Sequence, residues 1–317
     1  MDDNNADVIL EAEGREKPER AENDSLWKDL VQRFFYPMLQ RAIPALYDDA
    51  DREKAPRFLD KELRNIEKAL PGGVRIGPHV ADFLIDVPLK DGSRKWVLLH
   101  IEIQGRGGRE SLPFRMYHYK SMIFALHKQE PVALALITDT RPKDEPDFYG
   151  SDMYGTESTY RYNRLAVPEL DEAELLGTDN PFDLALCAAC RALKSKRDER
   201  QKHRYLKELL GLLADRGWSH DDKHKLLLFI ERIINLQDRE LTLDVVKYQE
   251  ELEKEGKVMY VSLAEKVYLE KGIAEGRKEG RQEMAQQTAR NMKALGLSRD
   301  VIVKVSGLSE TEIERLD

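Results

Sequence analysis

The stretch that most constrains this chain is Ala81 to Arg106, ADFLIDVPLKDGSRKWVLLHIEIQGR. Two runs of strand-forming residues flank Asp91-Gly92-Ser93, and a glycine there tolerates the positive φ that tight hairpin turns require. Successive strand residues point to opposite faces. The odd positions Phe83, Ile85, Val87, Leu89, Val97, Leu99, Ile101 and Ile103 are all apolar, so that face packs against a core. The even positions Asp82, Leu84, Asp86, Trp96, Leu98, His100, Glu102 and Gln104 are mixed. A carboxylate beside an apolar core carries a desolvation penalty unless something compensates it. A turn centred on Gly92 predicts Asp82 directly opposite Glu102. Like charges at that spacing repel, so the pair reads as a proton-sharing dyad, a divalent-metal site or two solvated sheet ends. Mg²⁺ suits two carboxylates because it keeps several of its waters. Pro88, inside the first strand, implies an edge or a bulge and a possible shift of the pairing.

Asp82 and Glu102-x-Gln104 on a hairpin, followed by a helix with Arg115-Met116 and Tyr119, resemble the PD-(D/E)XK nuclease superfamily. More narrowly, the chain is similar to the Rpn family of recombination-promoting, transposase-like nucleases. The resemblance rests on an ordered set of landmarks across roughly residues 22 to 290. These are Trp27-Lys28-Asp29, Phe58 to Leu63, Leu99 to Gly105, Arg115-Met116-Tyr117, Asn180-Pro181-Phe182 and Met259-Tyr260-Val261. It implies an α/β fold with a restriction-endonuclease-like core, a central mixed sheet flanked by helices, and an all-helical C-terminal extension. The implied activity is metal-dependent hydrolysis of DNA phosphodiester bonds. Asp82, Glu102 and the Ile103 carbonyl would hold Mg²⁺ or Mn²⁺, Glu62 would be an extra ligand, and Gln104 would complete the catalytic set. Gln104 stands where the superfamily usually has lysine, and a neutral amide orients a nucleophile without supplying a cation. The alternative is a nuclease-like fold with little or no cleavage, acting as a DNA-binding or transposition-associated module.

Charge bears on the partner. The 317 residues carry a formal net charge of −8, which argues against a protein that coats nucleic acid but leaves room for local basic patches. From His100 to Lys128 the basic residues are Arg106, Arg109, Arg115, Lys120 and Lys128, against Glu102 and Glu110. Arg106, Arg109, Arg115 and Lys120 are the candidate DNA contacts. Arg191 to Lys207 is the strongest basic run, with eight basic residues and two acids, and reads either as a second DNA contact or as a solvated helix face.

The remaining organisation follows from punctuation and periodicity. Residues 1–21 are polar and acidic and read as a disordered tail; residues 22–178 form the nuclease-like domain, 179–256 the helical extension and 257–317 a tether with a helix-turn-helix-like unit. Expected helices cover Trp27 to Phe35, 57–69, Glu110 to Lys128, 181–195, 199–215, 221–236 and 240–255. Val74 to Ile76, Pro131 to Thr138 and Thr159 to Val167 read as strands and 139–158 as loop. Ser309-x-x-Glu312 reads as a capping box, and the glycine-repeat tail, Gly272, Gly276 and Gly280, as a possible route to homo-oligomers. Cys187-x-x-Cys190 with His220 and His224 invites a zinc reading, but the cysteines lie in an Ala/Leu-rich helix where packing accounts for them. Two cysteines and the polar N-terminus fit a cytoplasmic chain, and no apolar run is long enough to span a bilayer.

Overall fold

The computed structural model describes residues 25–59, 81–102, 111–139, 146–257, 284–293 and 298–315. The N-terminal tail, residues 60–69 of the second expected helix, Val74 to Ile76 and the glycine-repeat tail lie outside these. The chain divides into two compact units, residues 1–260 and 261–317.

In the first unit, helix α1 (25–33) breaks at Phe34 into α2 (Phe35–Ala42), and Pro44 opens α3 (Pro44–Asp49). Pro44 begins a helix because a first-turn residue has no intrahelical use for its missing N–H. Strand β1 is only Arg57–Phe58. The helix expected from residue 57 therefore does not begin there, since cross-strand pairing sets the conformation of these two residues. Then come β2 (Ala81–Pro88), β3 (Arg94–Glu102), α4 (Leu112–His127) and β4 (Val132–Ile137). A ribbon of β5 (Phe148–Met153) and β6 (Thr156–Arg161) precedes β7 (Asn163–Ala166). The expected loop 139–158 thus contains a strand, and the strand expected over Thr159 to Val167 divides between two sheets. Helices α5 (Glu172–Leu176), α6 (Pro181–Ser195), α7 (Glu199–Asp215), α8 (His220–Ile234) and α9 (Arg239–Lys254) complete the unit.

The main sheet has the order β1-β2-β3-β4-β7, with β1 to β3 antiparallel and β3, β4 and β7 parallel. The mixed sheet flanked by helices is as expected. Its two faces are both covered. Leu84, Leu98, Ala133, Ala135 and Ile137 pack with Leu112, Met116, Tyr119 and Ile123 of α4. On the other face Phe83 meets Phe58 edge-on at 5.3 Å, and Phe58 meets Phe35 of α2 at 6.2 Å. The helices from Pro181 onward join the same unit: Trp27 of α1 packs edge-to-face on Phe229 of α8, centroids 5.0 Å apart, and α6 packs on α2.

A buried ion pair fixes the α2–α6 contact. Asp183 is 1% exposed and accepts from Arg41 Nε and Nη2, at 2.8 and 2.5 Å, while Arg41 Nη1 donates to Glu174. The Thr178 hydroxyl donates to the same carboxylate at 2.7 Å. Asn180 caps α6 by accepting from the Phe182 amide and donates to the Pro37 carbonyl of α2, which gives the Asn-Pro-Phe run a mechanical reason. Neighbouring helix ends are tied in the same manner. Glu199 accepts from the Gln237 and Asp238 amides before α9, Lys202 donates to the Asn235 carbonyl after α8, and buried Lys223 donates to the Ala214 carbonyl near the end of α7.

The second unit contains α10 (284–293), α11 (Arg299–Ser306) and α12 (Glu310–Glu314) around Ala289, Ile302, Leu308 and Ile313. Gly307 ends α11 with φ 70°, and Ser309 and Glu312 form the expected capping box. No helix among the described residues is long and apolar enough to cross a membrane.

Removing Arg41 leaves the Asp183 carboxylate buried without its countercharge. Arg41→Ala is expected to lower unfolding stability by about 3–5 kcal/mol in denaturant titration, with partial recovery in Arg41→Ala/Asp183→Asn. Equal stability of Arg41→Ala and wild type would show that this clamp does not hold the unit together.

Candidate functional site at the end of the central hairpin

The hairpin turn is one residue shorter in its centring than its sequence suggests. Leu89 N–H donates to the Ser93 carbonyl at 2.9 Å, and Gly92 N–H donates to the Leu89 carbonyl at 3.0 Å, with Gly92 at φ 85°. Lys90, Asp91 and Gly92 therefore form a three-residue loop with glycine at the left-handed position. The Asp91 carboxylate accepts from the Ser93 amide and hydroxyl, at 2.8 and 2.6 Å, and these bonds hold its pKa below the usual range. The midpoint is Asp91, so Asp82 pairs with His100, not with Glu102 as a turn centred on Gly92 predicts. Glu102 lies two residues farther along β3. An even displacement preserves the side of the pleat, so Asp82, His100 and Glu102 occupy register positions of the same parity as Leu84 and Leu98. Among these three only the backbone is described. Glu62, Ile103, Gln104, Arg106 and Arg109 lie outside the described residues.

Helix α4 carries the other two candidates. Arg115 is 7% exposed, next to Met116 at the sheet-covering face. Lys120 is partly buried; its ammonium pairs with Glu130 at 2.9 Å and lies over the Phe124 and Tyr160 rings at 5.8 Å each. Burial pushes the Tyr160 phenol well above its ordinary pKa, with Tyr162 and Glu130 adding to the rise. The β5–β6 ribbon docks on this helix through Tyr149, whose ring stacks on Tyr117 with centroids 4.2 Å apart.

The basic run from Arg191 to Lys207 is largely consumed within the protein. Arg191 pairs with Glu172 and Glu208 at 3.1 and 2.9 Å, Lys194 with Glu172, and Lys196 with Asp139 at 3.6 Å. Lys202 pairs with Glu199 at 2.7 Å and Lys207 with Asp244 at 2.9 Å. Burial raises the Glu172 carboxyl, but the bonds from Lys194 and Arg191 outweigh it and hold the pKa low. Arg197, Arg200 and Arg204 are left on the surface without an ion pair among the described residues.

One group of charges escapes the sequence reading. Asp86 is 2% exposed at an even position of β2, four residues from Asp82. Its Oδ2 accepts from Arg57 Nε at 3.1 Å, from Arg57 Nη2, and from Arg94 Nε at 2.7 Å. Arg94 Nη2 also donates to the Asp86 carbonyl at 3.1 Å. Oδ1 is buried without a hydrogen-bond partner among the described residues. The available signal was the alternation Asp82-Leu84-Asp86 on a face that otherwise turns apolar, with Arg94 just across the turn.

The cysteines sit in the core of α6, the Cys190 thiol donating to the Val167 carbonyl at 3.3 Å. Burial pushes the Cys187 thiol up to about 12 and the Cys190 thiol up to about 11. A protonated, enclosed thiol is a poor nucleophile. Native protein at pH 8 is expected to leave both unmodified by a thiol-reactive disulfide reagent over minutes, and denatured protein to react at both; fast labelling of native protein would contradict this packing. Compared with protein-family models, with curated proteins and with solved structures, the chain matches none.

Proposed function

We propose that this chain is a metal-dependent DNA endonuclease of the recombination-promoting type. The observation that carries the reading is the even register of the central hairpin: Asp82 and Glu102 stand on adjacent strands, diagonal to one another, with one pleat parity. Diagonal neighbours of an antiparallel pair are roughly 7–8 Å apart at Cα and closer at Cβ, a span that two carboxylates close around one cation. Helix, hairpin, helix and parallel strand follow in the order that the nuclease resemblance implies. Arg115 belongs to α4, the helix whose Leu112, Met116, Tyr119 and Ile123 cover the face of Leu84 and Leu98.

The donor chemistry suits a hard cation. Asp82, Glu102 and the Ile103 carbonyl offer oxygen alone, which Mg²⁺ and Mn²⁺ prefer, and both thiols are committed to the α6 core. Glu62 would add a further oxygen. When bound, the ion supplies Lewis acidity toward the scissile phosphate and a water of lowered pKa. The residues of the chain do the rest. The carboxylates concentrate negative charge at one point, Gln104 orients the nucleophile through its amide, and Arg115 offsets the charge that develops on phosphate. Without lysine at position 104, more of that stabilisation falls to Arg115 and Arg106.

Purified protein is expected to nick supercoiled plasmid DNA with Mg²⁺ or Mn²⁺ and not with excess chelator. In Asp82→Ala and Glu102→Ala, with unchanged thermal melts, nicking should fall by at least about 100-fold, beyond the 10–100-fold typical of a lost outer-shell partner. Absence of nicking by wild type at every metal concentration would overturn the reading, and retained DNA binding in that case would leave a nuclease-like binding module. Equal rates in wild type and both variants would displace the site to other residues.

A further inference from the structure

Arg57, Asp86 and Trp96 form one row across β1, β2 and β3, because Arg57 pairs with Asp86 and Asp86 with Trp96. The Asp86 carboxylate is buried, and one arginine would neutralise it. Two converge on it, leaving a surplus positive charge. Their exposure separates them from a structural partner: the Arg41 side chain that serves Asp183 is 17% exposed, whereas Arg57 is 66% and Arg94 35% exposed. Each guanidinium has five N–H donors in a planar fork, and Arg57 and Arg94 use only their Nε and Nη2 edges on Asp86. The Nη1 groups remain available to a ligand. Anchoring by Asp86 also fixes both side chains beforehand, which lowers the ordering cost of binding. The surroundings extend the patch. Trp96 is partly buried and meets the exposed His127 ring at 5.0 Å, with exposed Lys128 next to His127 in the chain.

We propose that Arg57 and Arg94 form a phosphate-binding contact for the nucleic acid on which the Asp82–Glu102 site acts, an inference that rests on the nuclease reading above. Arginine pairs of this kind match the bidentate geometry of phosphate oxygens. The contact lies four residues along β2 from Asp82, about 13 Å at roughly 3.3 Å per residue, or about four steps of duplex rise at 3.4 Å each. It fixes where the backbone lies relative to the carboxylates and reads no base, so it sets register without sequence preference.

The test is fluorescence anisotropy of full-length protein with a short labelled duplex, in chelator, over a salt series. Arg57→Gln/Asp86→Asn/Arg94→Gln removes both cations together with the carboxylate that requires them. Its Kd should rise about 10-fold near 0.1 M salt, and the slope of log K against log salt should fall by about 2, one for each lost phosphate contact. Arg57→Gln alone keeps Arg94 on Asp86 and should lower the slope by about 1, which decides the matter if the triple variant melts early. Unchanged Kd and slope in a folded variant would overturn the contact while leaving the nuclease reading intact. Loss of slope in the variants alongside a wild type that binds but does not cleave would support the contact and reject the catalysis. A wild type that binds neither duplex nor single strand would overturn both.

Discussion

The three-residue turn at Lys90 to Gly92 sets the geometry on which the remainder depends. With Gly92 in a left-handed conformation, the two strands meet at a midpoint of Asp91, and every partner in β2 and β3 is then determined. A displacement by one residue would have set Leu84 opposite Leu99 and turned the apolar set of one strand to the wrong face. The actual displacement is two, so each layer keeps its own side chains. On its other edge β3 lies beside β4 in parallel, with Val97 through Glu102 against Val132 through Ile137. α4 crosses over the face that this pairing defines.

Buried charge is the second organising constraint, and the protein meets it in two styles. Asp183, buried, and Glu172, half-buried, pair with cations from neighbouring helices and serve as joints: Arg41 ties α2 to α6, while Arg191 and Lys194 tie α6 to α5. Asp86 is held in the sheet and leaves its cations facing outward. The distinction explains why a net charge of −8 says little about where an anion could bind. What matters is which cations are already paired within the protein, and most of the Arg191 to Lys207 run is.

Local sequence revealed the elements whose stability is local. The long helices Pro181–Ser195, Glu199–Asp215, His220–Ile234 and Arg239–Lys254 begin at residues whose side chains cap them, Asn180, Asp198, Ser219 and Asp238, and their spans follow the periodicity closely. Elements created by pairing were harder to see. Arg57–Phe58 is a strand only because β2 lies beside it. The β5–β6 ribbon turns at Tyr154-Gly155, with φ of 53° and 79°, and tyrosine is not a residue that announces a left-handed turn. At the candidate site, parity was legible and partner identity was not, because glycine in a turn does not reveal whether two or three residues form the loop. Asp86 was visible as a carboxylate on the mixed face, but its arginines come from β1 and from across the turn, a convergence that no single segment encodes.

The Arg41–Asp183 clamp joins residues 142 positions apart, which has a consequence for the chain as it is made. At roughly 5–20 residues per second of synthesis, the ribosome needs about 7–28 s after Arg41 to produce its partner. Until α6 emerges, α2, which buries Phe35, Met38 and Leu39, lacks one of the elements packed on it in the finished protein. A nascent chain with that much uncovered apolar surface is a natural client for ribosome-associated chaperones, and truncations ending before Asn180 would share its exposure permanently.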